Sequence, residues 1–321
     1  ILHEYRNNIY DEETGHYKWY HDYATGFRYK ITHYSEVRQK NIHEGVDIKH
    51  LWELSRMQYL FAPALYWRIS GDSKYAEFVI KVLSDWIDEN RYEEGPNWNI
   101  AMEVGIRVTN MILVFQLIKN YEGLENSFCE KFVASAYLHL KFILNNEEKY
   151  MGKAYNHYLG NLIGVLAVSA AFPFLPNNSR HLKYAIDSFE KEMKIQVLDD
   201  GGSFEGSTCY HGLVGEIFTL AALICRRRNI KMSDDYFNRL NKMVIFSRII
   251  EKHNGYMPQI GDNDGGRIIQ LLPHNALDYR FYQNIAHWLT SGKLLNLHYR
   301  NHVFCFTGNI NYIQEEKIVK D

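Results

Sequence analysis

Two dipeptides carry the side chains best suited to moving a proton on a polar substrate: Asn156-His157 and Tyr210-His211. The second follows the loop Asp199 to Ser207, which contributes Glu205. Three further polar groups stand out: Asp47 with Glu53 and Arg56, Asn97-Trp98-Asn99 with Glu103 and Arg107, and the run Gly261 to Arg267 with Asp262 and Asp264. An Asn amide donates hydrogen bonds to a carboxylate without bringing an acidic proton. A Tyr can give a proton as phenol and take one as phenolate, provided nearby cations lower its reference pKa of about 10. These types match one reaction, β-elimination in a uronic-acid glycan. That reaction needs a group to neutralise the sugar carboxylate, a base for the C5 proton and an acid for the departing oxygen.

Each group also has a purely structural reading. Glu53 and Arg56 are three apart, which suits an intrahelical ion pair as well as a substrate contact. Glu103 and Arg107 form an i, i+4 pair inside an apolar helix. Charges there are paired in a network or line a wet cavity, and both readings stand. The run Asp262-Asn263-Asp264-Gly265-Gly266 lacks the third spaced carboxylate and the closing Glu of a calcium loop, so it reads as a tight polar turn with Arg267 reaching the cleft. No metal site and no cofactor is expected. Consecutive helical residues point about 100° apart, so at most one of Asn156 and His157, and one of Tyr210 and His211, can face a given substrate atom directly.

The elements that must position these residues are helices. Apolar residues recur at helical spacing in four stretches: Tyr75, Phe78, Val79, Val82, Leu83, Trp86 and Ile87, then stretches around Phe132, Phe189 and Leu240. Each is a stripe for one buried face. Alternating with them are stretches apolar nearly all round, Ile100–Ile118 and Leu159–Phe172, which read as inner helices. None is an uninterrupted apolar run of the roughly 18 residues needed to span a bilayer. Inner helices starting near Asp47, Asn97, Asn156 and Ser207 lie roughly 50 to 60 residues apart, a period that signals a helical repeat. The expected fold class is all-α, an (α/α) toroid of inner and outer helices, partial or complete. The polar groups then gather near inner-helix N-termini, whose free N–H groups and positive partial charge favour anions. Strand-like alternation is scarce before His302–Phe306.

Composition narrows the partners. Net charge is −2 over 321 residues, so there is no basic footprint for nucleic acid or a membrane surface. Aromatic content of 15% serves core packing and also suits stacking on sugar rings. The four cysteines are far apart without CxxC spacing, which argues against structural zinc. Ile1–Arg6 shows no signal-peptide core.

Five segments, DIKHLWELSRMQYL from Asp47, NWNIAMEVGIRVTN from Asn97, NHYLGNLIGVL from Asn156, DGGSFEGSTCYH from Asp200 and IGDNDGGR from Ile260, together resemble the heparinase II/III-like polysaccharide lyases. The resemblance covers roughly Trp19 to Arg267. It implies a bacterial lyase for an acidic polysaccharide, periplasmic or secreted, with an α/α toroid followed by an antiparallel β-sandwich. Asn156 then matches the carboxylate neutraliser and Tyr210 the catalytic Tyr, with His157 beside them. Glu205, His211, Trp98, Glu103, Arg107, Asp262 and Arg267 are assigned to substrate binding. The expected organisation is a lead-in over 1–46, the toroid over 47–300 and a tail over 301–321 leading towards the sandwich, which supplies a further catalytic His in the family and is absent from this sequence. The Arg/Lys clustering that sulfate recognition favours is absent as well. Two rival readings use the same scaffold. One is an inverting glycoside hydrolase, with Glu205 and Asp262 or Asp264 about 6.5–9.5 Å apart. The other is a glycan-binding module without catalysis.

Overall fold

The computed structural model describes residues 9–37, 43–150, 153–270, 275–293 and 295. The expected strand at His302–Phe306 and the tail over 301–321 lie outside them. The described residues form ten α-helices and a hairpin of two two-residue strands, and they divide into two compact units. The first comprises the described residues from 9 to 185 with 269 and 270, the second those from 186 to 268 and from 275 onward.

In the first unit a lead-in segment (9–37) precedes α1 (Ile48–Ser55), α2 (Phe61–Ser70), α3 (Ser73–Glu89), α4 (Ala101–Ile118), α5 (Asn126–Asn145), the hairpin β1 (Lys149–Tyr150) and β2 (Lys153–Ala154), and α6 (Asn156–Ala171). The helices near Asn97 and Asn156 form as expected, except that a 3-10 turn at Pro96–Trp98 delays α4 to Ala101. The segment from Asp47 behaves differently. Asp47 caps α1 by accepting from the Lys49 N–H, but the helix stops after eight residues, where Met57 takes a left-handed φ of 63°. α2 then follows in a stretch for which no helix was expected.

α4 and α6 are the core of this unit. Every residue from Ala101 to Ile112 is buried. Glycine makes their close packing possible: a Cβ on Gly105 would stand 2.1 Å from the Gly160 carbonyl oxygen, and one on Gly164 would stand 2.7 Å from Gly105 Cα. Backbone thus meets backbone where any side chain would intrude. α3 supplies the amphipathic partner, burying Ala76, Val79, Val82, Leu83 and Trp86, while Phe78 of the expected stripe is 40% exposed. α5 buries Phe128, Phe132, Ala136, Leu140 and Ile143 in the same manner.

Two buried carboxylates fasten the lead-in. Asp22 accepts from the Ala24, Thr25 and Asp47 N–H groups and pairs with His50 at 3.0 Å. Asp85 of α3 accepts from Trp19 Nε1 at 2.8 Å and the Tyr17 N–H at 3.0 Å, and lies 2.6 Å from His16 Nδ1.

The second unit holds the later part of α7 (Asn178–Gln196), followed by α8 (Thr208–Arg227), α9 (Asp234–Ile250) and α10 (Arg280–Ser291). α10 was not expected from the sequence. Before it, Tyr279 sits against Gly212, and in it Tyr282 sits against Gly215, in the shallow groove those residues leave on α8. Among the described residues two helices, Ala101–Ile118 and Thr208–Arg227, are long and apolar enough to cross a membrane, but their apolar windows are 78% and 89% buried inside the fold.

The glycine contact between α4 and α6 makes a direct prediction. Gly105→Ala must push the helices apart or strain them, at about 1–3 kcal/mol for overpacking. Urea unfolding should show a lower midpoint with an unchanged slope.

Candidate functional site

α6 and α8 share a pattern. From Asn156 to Ala170 every residue of α6 is buried except His157. From Thr208 to Leu223 every residue of α8 is buried except Tyr210. An apolar helix that exposes a single polar side chain in its first turn presents that side chain to whatever approaches. The structure therefore separates the paired candidates: His157 opens outward while Asn156 is 6% exposed, and Tyr210 opens outward while His211 is 1% exposed.

In the first unit, His157 Nδ1 lies 2.8 Å from Glu148 Oε1, and that pair is partly exposed. The other Glu148 oxygen accepts from the Met102 N–H at 2.7 Å and from Asn161 Nδ2 at 3.0 Å. Glu148 escaped the sequence reading because it lies outside the helix starts. Its signal was available only as a carboxylate eight residues before an Asn-His pair.

Trp98, Glu103 and Arg107, assigned above to substrate binding, lie in the interior. Glu103 pairs with Arg56 through Nε at 2.8 Å and Nη2 at 2.6 Å, rather than with Arg107. Glu53 accepts from the Tyr23 hydroxyl at 2.6 Å, so the expected Glu53–Arg56 pair gives way to this arrangement as well. Arg107 is 1% exposed, with its guanidinium carbon 4.3 Å from the Trp86 ring centroid and 5.4 Å from that of Trp98. Its Nε donates to His139 at 3.0 Å. Burial pulls its pKa below the usual range, and the Glu103 charge opposes the fall. Of the two readings left open for Glu103 and Arg107, the structural network is the one the molecule adopts. Short helix spacing suggested intrahelical pairs, but both arginines find partners on other helices.

The second unit builds its rim on α8. Ser207 caps the helix by accepting from the Tyr210 N–H and donates its own hydroxyl to the Asp262 carbonyl at 2.6 Å. Thr208 donates its hydroxyl to the Pro258 carbonyl at 2.8 Å, and its N–H bonds the Ile260 carbonyl at 3.0 Å. These bonds strap 258–264 across the helix start and bring Asp264 to the phenol. Tyr210 donates to Asp264 Oδ2 at 2.8 Å. The run is a polar turn, closed where Asn263 Oδ1 accepts from the Gly265 N–H. Among the described residues, no group of three or more His, Cys, Asp or Glu is arranged to hold a metal.

The phenol's environment is the reverse of the cationic one expected. Burial raises the Tyr210 pKa first, then the hydrogen bond and charge of Asp264, then the charges of Asp262 and Glu205. Tyr210 therefore rests as a protonated phenol. Arg267 supplies no cation to it: the guanidinium donates to the Ala276 and Asp278 carbonyls, sits 3.7 Å from Glu216, and lies over the Tyr279 ring. His211 is enclosed, accepting from the Ser203 N–H and lying 3.3 Å from the Tyr282 hydroxyl. Burial depresses its pKa to about 4.

The family model described as Heparinase II/III N-terminus matches residues 7–279, and the chain belongs to that family, whose class is the polysaccharide lyases. Among its relatives, a heparin-sulfate lyase of Bacteroides stercoris is 27% identical over 218 residues, covering 61% of this chain and 32% of the relative. A heparin-sulfate lyase of Pedobacter heparinus is 26% identical over 219 residues, covering 66% and 32%. The chain thus spans about a third of the length of these curated relatives. The crystal structure of heparan sulfate lyase HepC from Pedobacter heparinus matches with a TM-score of 0.57 at 22% identity, over 84% of this chain and 41% of that one. A structure of heparinase III gives 0.58 at 18%, over 80% and 38%. At these identities the likeness shows the fold, the helical toroid class expected from the sequence.

The buried His211 makes stability depend on pH. Its folded-state pKa lies below the ordinary 6.5, so its contribution is complete above that value and is lost as pH falls towards 4. Between pH 7 and pH 5 the loss is on the order of 2 kcal/mol. Urea titrations should show His211→Gln less stable at pH 7 but falling less steeply on acidification than the wild type.

Proposed function

We propose that the chain forms the helical part of a lyase that cleaves a uronic-acid polysaccharide by β-elimination. The reading is carried by the Tyr210 phenol, partly exposed on an otherwise buried helix start and held protonated by burial and by Asp264. A phenol in that state has a proton to give, which suits it as the acid for the departing glycosidic oxygen. Asn156, at the first position of α6, has the amide donors to neutralise the sugar carboxylate, lowering the cost of charge that builds up when C5 loses its proton. Neither role needs a metal or an organic cofactor, because the carboxylate already acidifies the C5–H. Family membership supports the reaction class, and the names of the relatives support a uronate-containing glycosaminoglycan as the kind of substrate.

Full-length protein should release unsaturated sugars from a uronate polymer, seen as rising ultraviolet absorbance. Tyr210→Phe should lower kcat roughly 10²–10⁴-fold, and Asn156→Ala roughly 10²–10³-fold, with the fold intact by circular dichroism. New reducing ends without absorbance would instead indicate hydrolysis, and unchanged rates in both variants would remove these residues from the reaction.

Asp264→Asn isolates the cause of the phenol's resting state. Removing the charge should bring the Tyr210 titration, followed by NMR of labelled tyrosine, down towards the ordinary value. Burial still acts, so the titration should not fall below that value. An unmoved titration would show that Asp264 does not hold the proton.

A further inference from the structure

The contact between Asp264 and Tyr210 is the middle of a longer seam. Ser207, Tyr210, Leu213 and Glu216 are successive members of an i+3 ridge, which crosses the surface of α8 obliquely. The strap meets them in the same order. Its Asp262 carbonyl accepts from Ser207 Oγ at 2.6 Å, and Asp264 Oδ2 accepts from the Tyr210 hydroxyl at 2.8 Å. Gly266 then lies against Leu213, where a Cβ would stand 3.2 Å from Leu213 Cδ2. Arg267 ends the seam, its Nη1 3.7 Å from Glu216 Oε2. The ridge thus leads from the partly exposed phenol to a buried charge pair, with side chains only 14% and 3% exposed. The same guanidinium donates to the Ala276 carbonyl at 3.1 Å and the Asp278 carbonyl at 2.5 Å, and lies 4.8 Å from the Tyr279 ring centroid. Tyr279 in turn donates its hydroxyl to the Thr208 carbonyl at 2.5 Å, back at the helix start. Arg267 therefore ties together the strap, α8 and the segment before α10.

A desolvated ion pair adds little net stability, because the hydration that both charges lose offsets their attraction. What it can supply is register: a strap shifted along the ridge would leave a guanidinium and a carboxylate buried apart, which is costly. We propose that Arg267, through Glu216, is a positioning residue that fixes the register of the strap on α8 and so keeps Asp264 on the Tyr210 hydroxyl. Its effect on turnover rests on the lyase reading above, whereas its effect on the phenol does not.

Carbon-13 labelling of the tyrosine Cζ atoms in the full-length protein reads the phenol directly, the Tyr210 signal being the one missing from Tyr210→Phe. Asp264→Asn marks where that signal lies without the carboxylate. Combining Glu216→Leu with Arg267→Met removes both buried charges and strands neither, so urea unfolding should show the fold intact. The Tyr210 signal of this pair should move to the Asp264→Asn position. Adding Asp264→Asn should then move it no further, because the contact is already lost. Arg267→Lys keeps the charge but not the planar fork that serves two carbonyls and a carboxylate at once, and should move the signal part of the way. That milder variant carries the same test should the pair unfold. On a uronate polymer the pair should lose kcat on the order of 10²-fold, with KM changed far less. A Tyr210 signal unmoved in the folded variants, or a further shift on adding Asp264→Asn, would overturn the proposal. Absence of unsaturated product from the wild type sinks the lyase reading alone, since the Tyr210 signal reports on Arg267 without substrate.

Discussion

The close approach of α4 and α6 governs the first unit. Where Gly105 meets Gly160 and Gly164, the helix backbones touch, leaving little freedom for α6 to slide or turn. The phase of α6 follows from that contact. Its glycine face is turned inward, Asn156 is buried, and His157 is the residue left to solvent. The same contact brings the start of α4 near enough to α6 for one carboxylate to bond Met102, Asn161 and His157 together. Packing geometry thus sets up an electrostatic arrangement that neither helix could hold alone.

The second unit reaches a similar outcome by different means. Gly212 and Gly215 admit the rings of Tyr279 and Tyr282 against α8, and the Tyr279 hydroxyl bonds the Thr208 carbonyl at the helix start. The strap at 258–264 adds backbone bonds to Thr208 and a side-chain bond to Tyr210. Buried charges of the first unit pair across elements, as with Arg56 and Glu103, or lie against aromatic rings, as with Arg107. A buried guanidinium beside two indoles gains cation–π attraction that partly offsets its lost hydration.

The helices apolar all round were legible because burial on every side leaves no polar stripe. α4 and α6 were read with nearly their observed extents, and α8 with its observed start. For α1 only the start was legible: its end is set at Met57, where a left-handed residue breaks the helix, and backbone conformation at one residue leaves no periodic trace. α10 escaped although its pattern was present, since Phe281, Tyr282, Ile285, Ala286, Trp288 and Leu289 recur at helical spacing and are all buried. The site was legible as residue types, not as partners. Spacing proposed Glu103 with Arg107 and Glu53 with Arg56, whereas tertiary packing paired Arg56 with Glu103 and left Arg107 to His139. Sequence could name Asn156-His157 and Tyr210-His211 as pairs. Only the rotation of each helix decided which member faces out.

The exposure pattern also bears on how such a chain can change. On α6 and α8 the outward residue is surrounded by positions whose volume is committed to the interior. Replacing His157 or Tyr210 changes what these helix starts present, with less disturbance to the packing beneath. Replacing their immediate neighbours disturbs packing before it alters reactivity. A scaffold built this way can vary at two outward points while keeping one architecture.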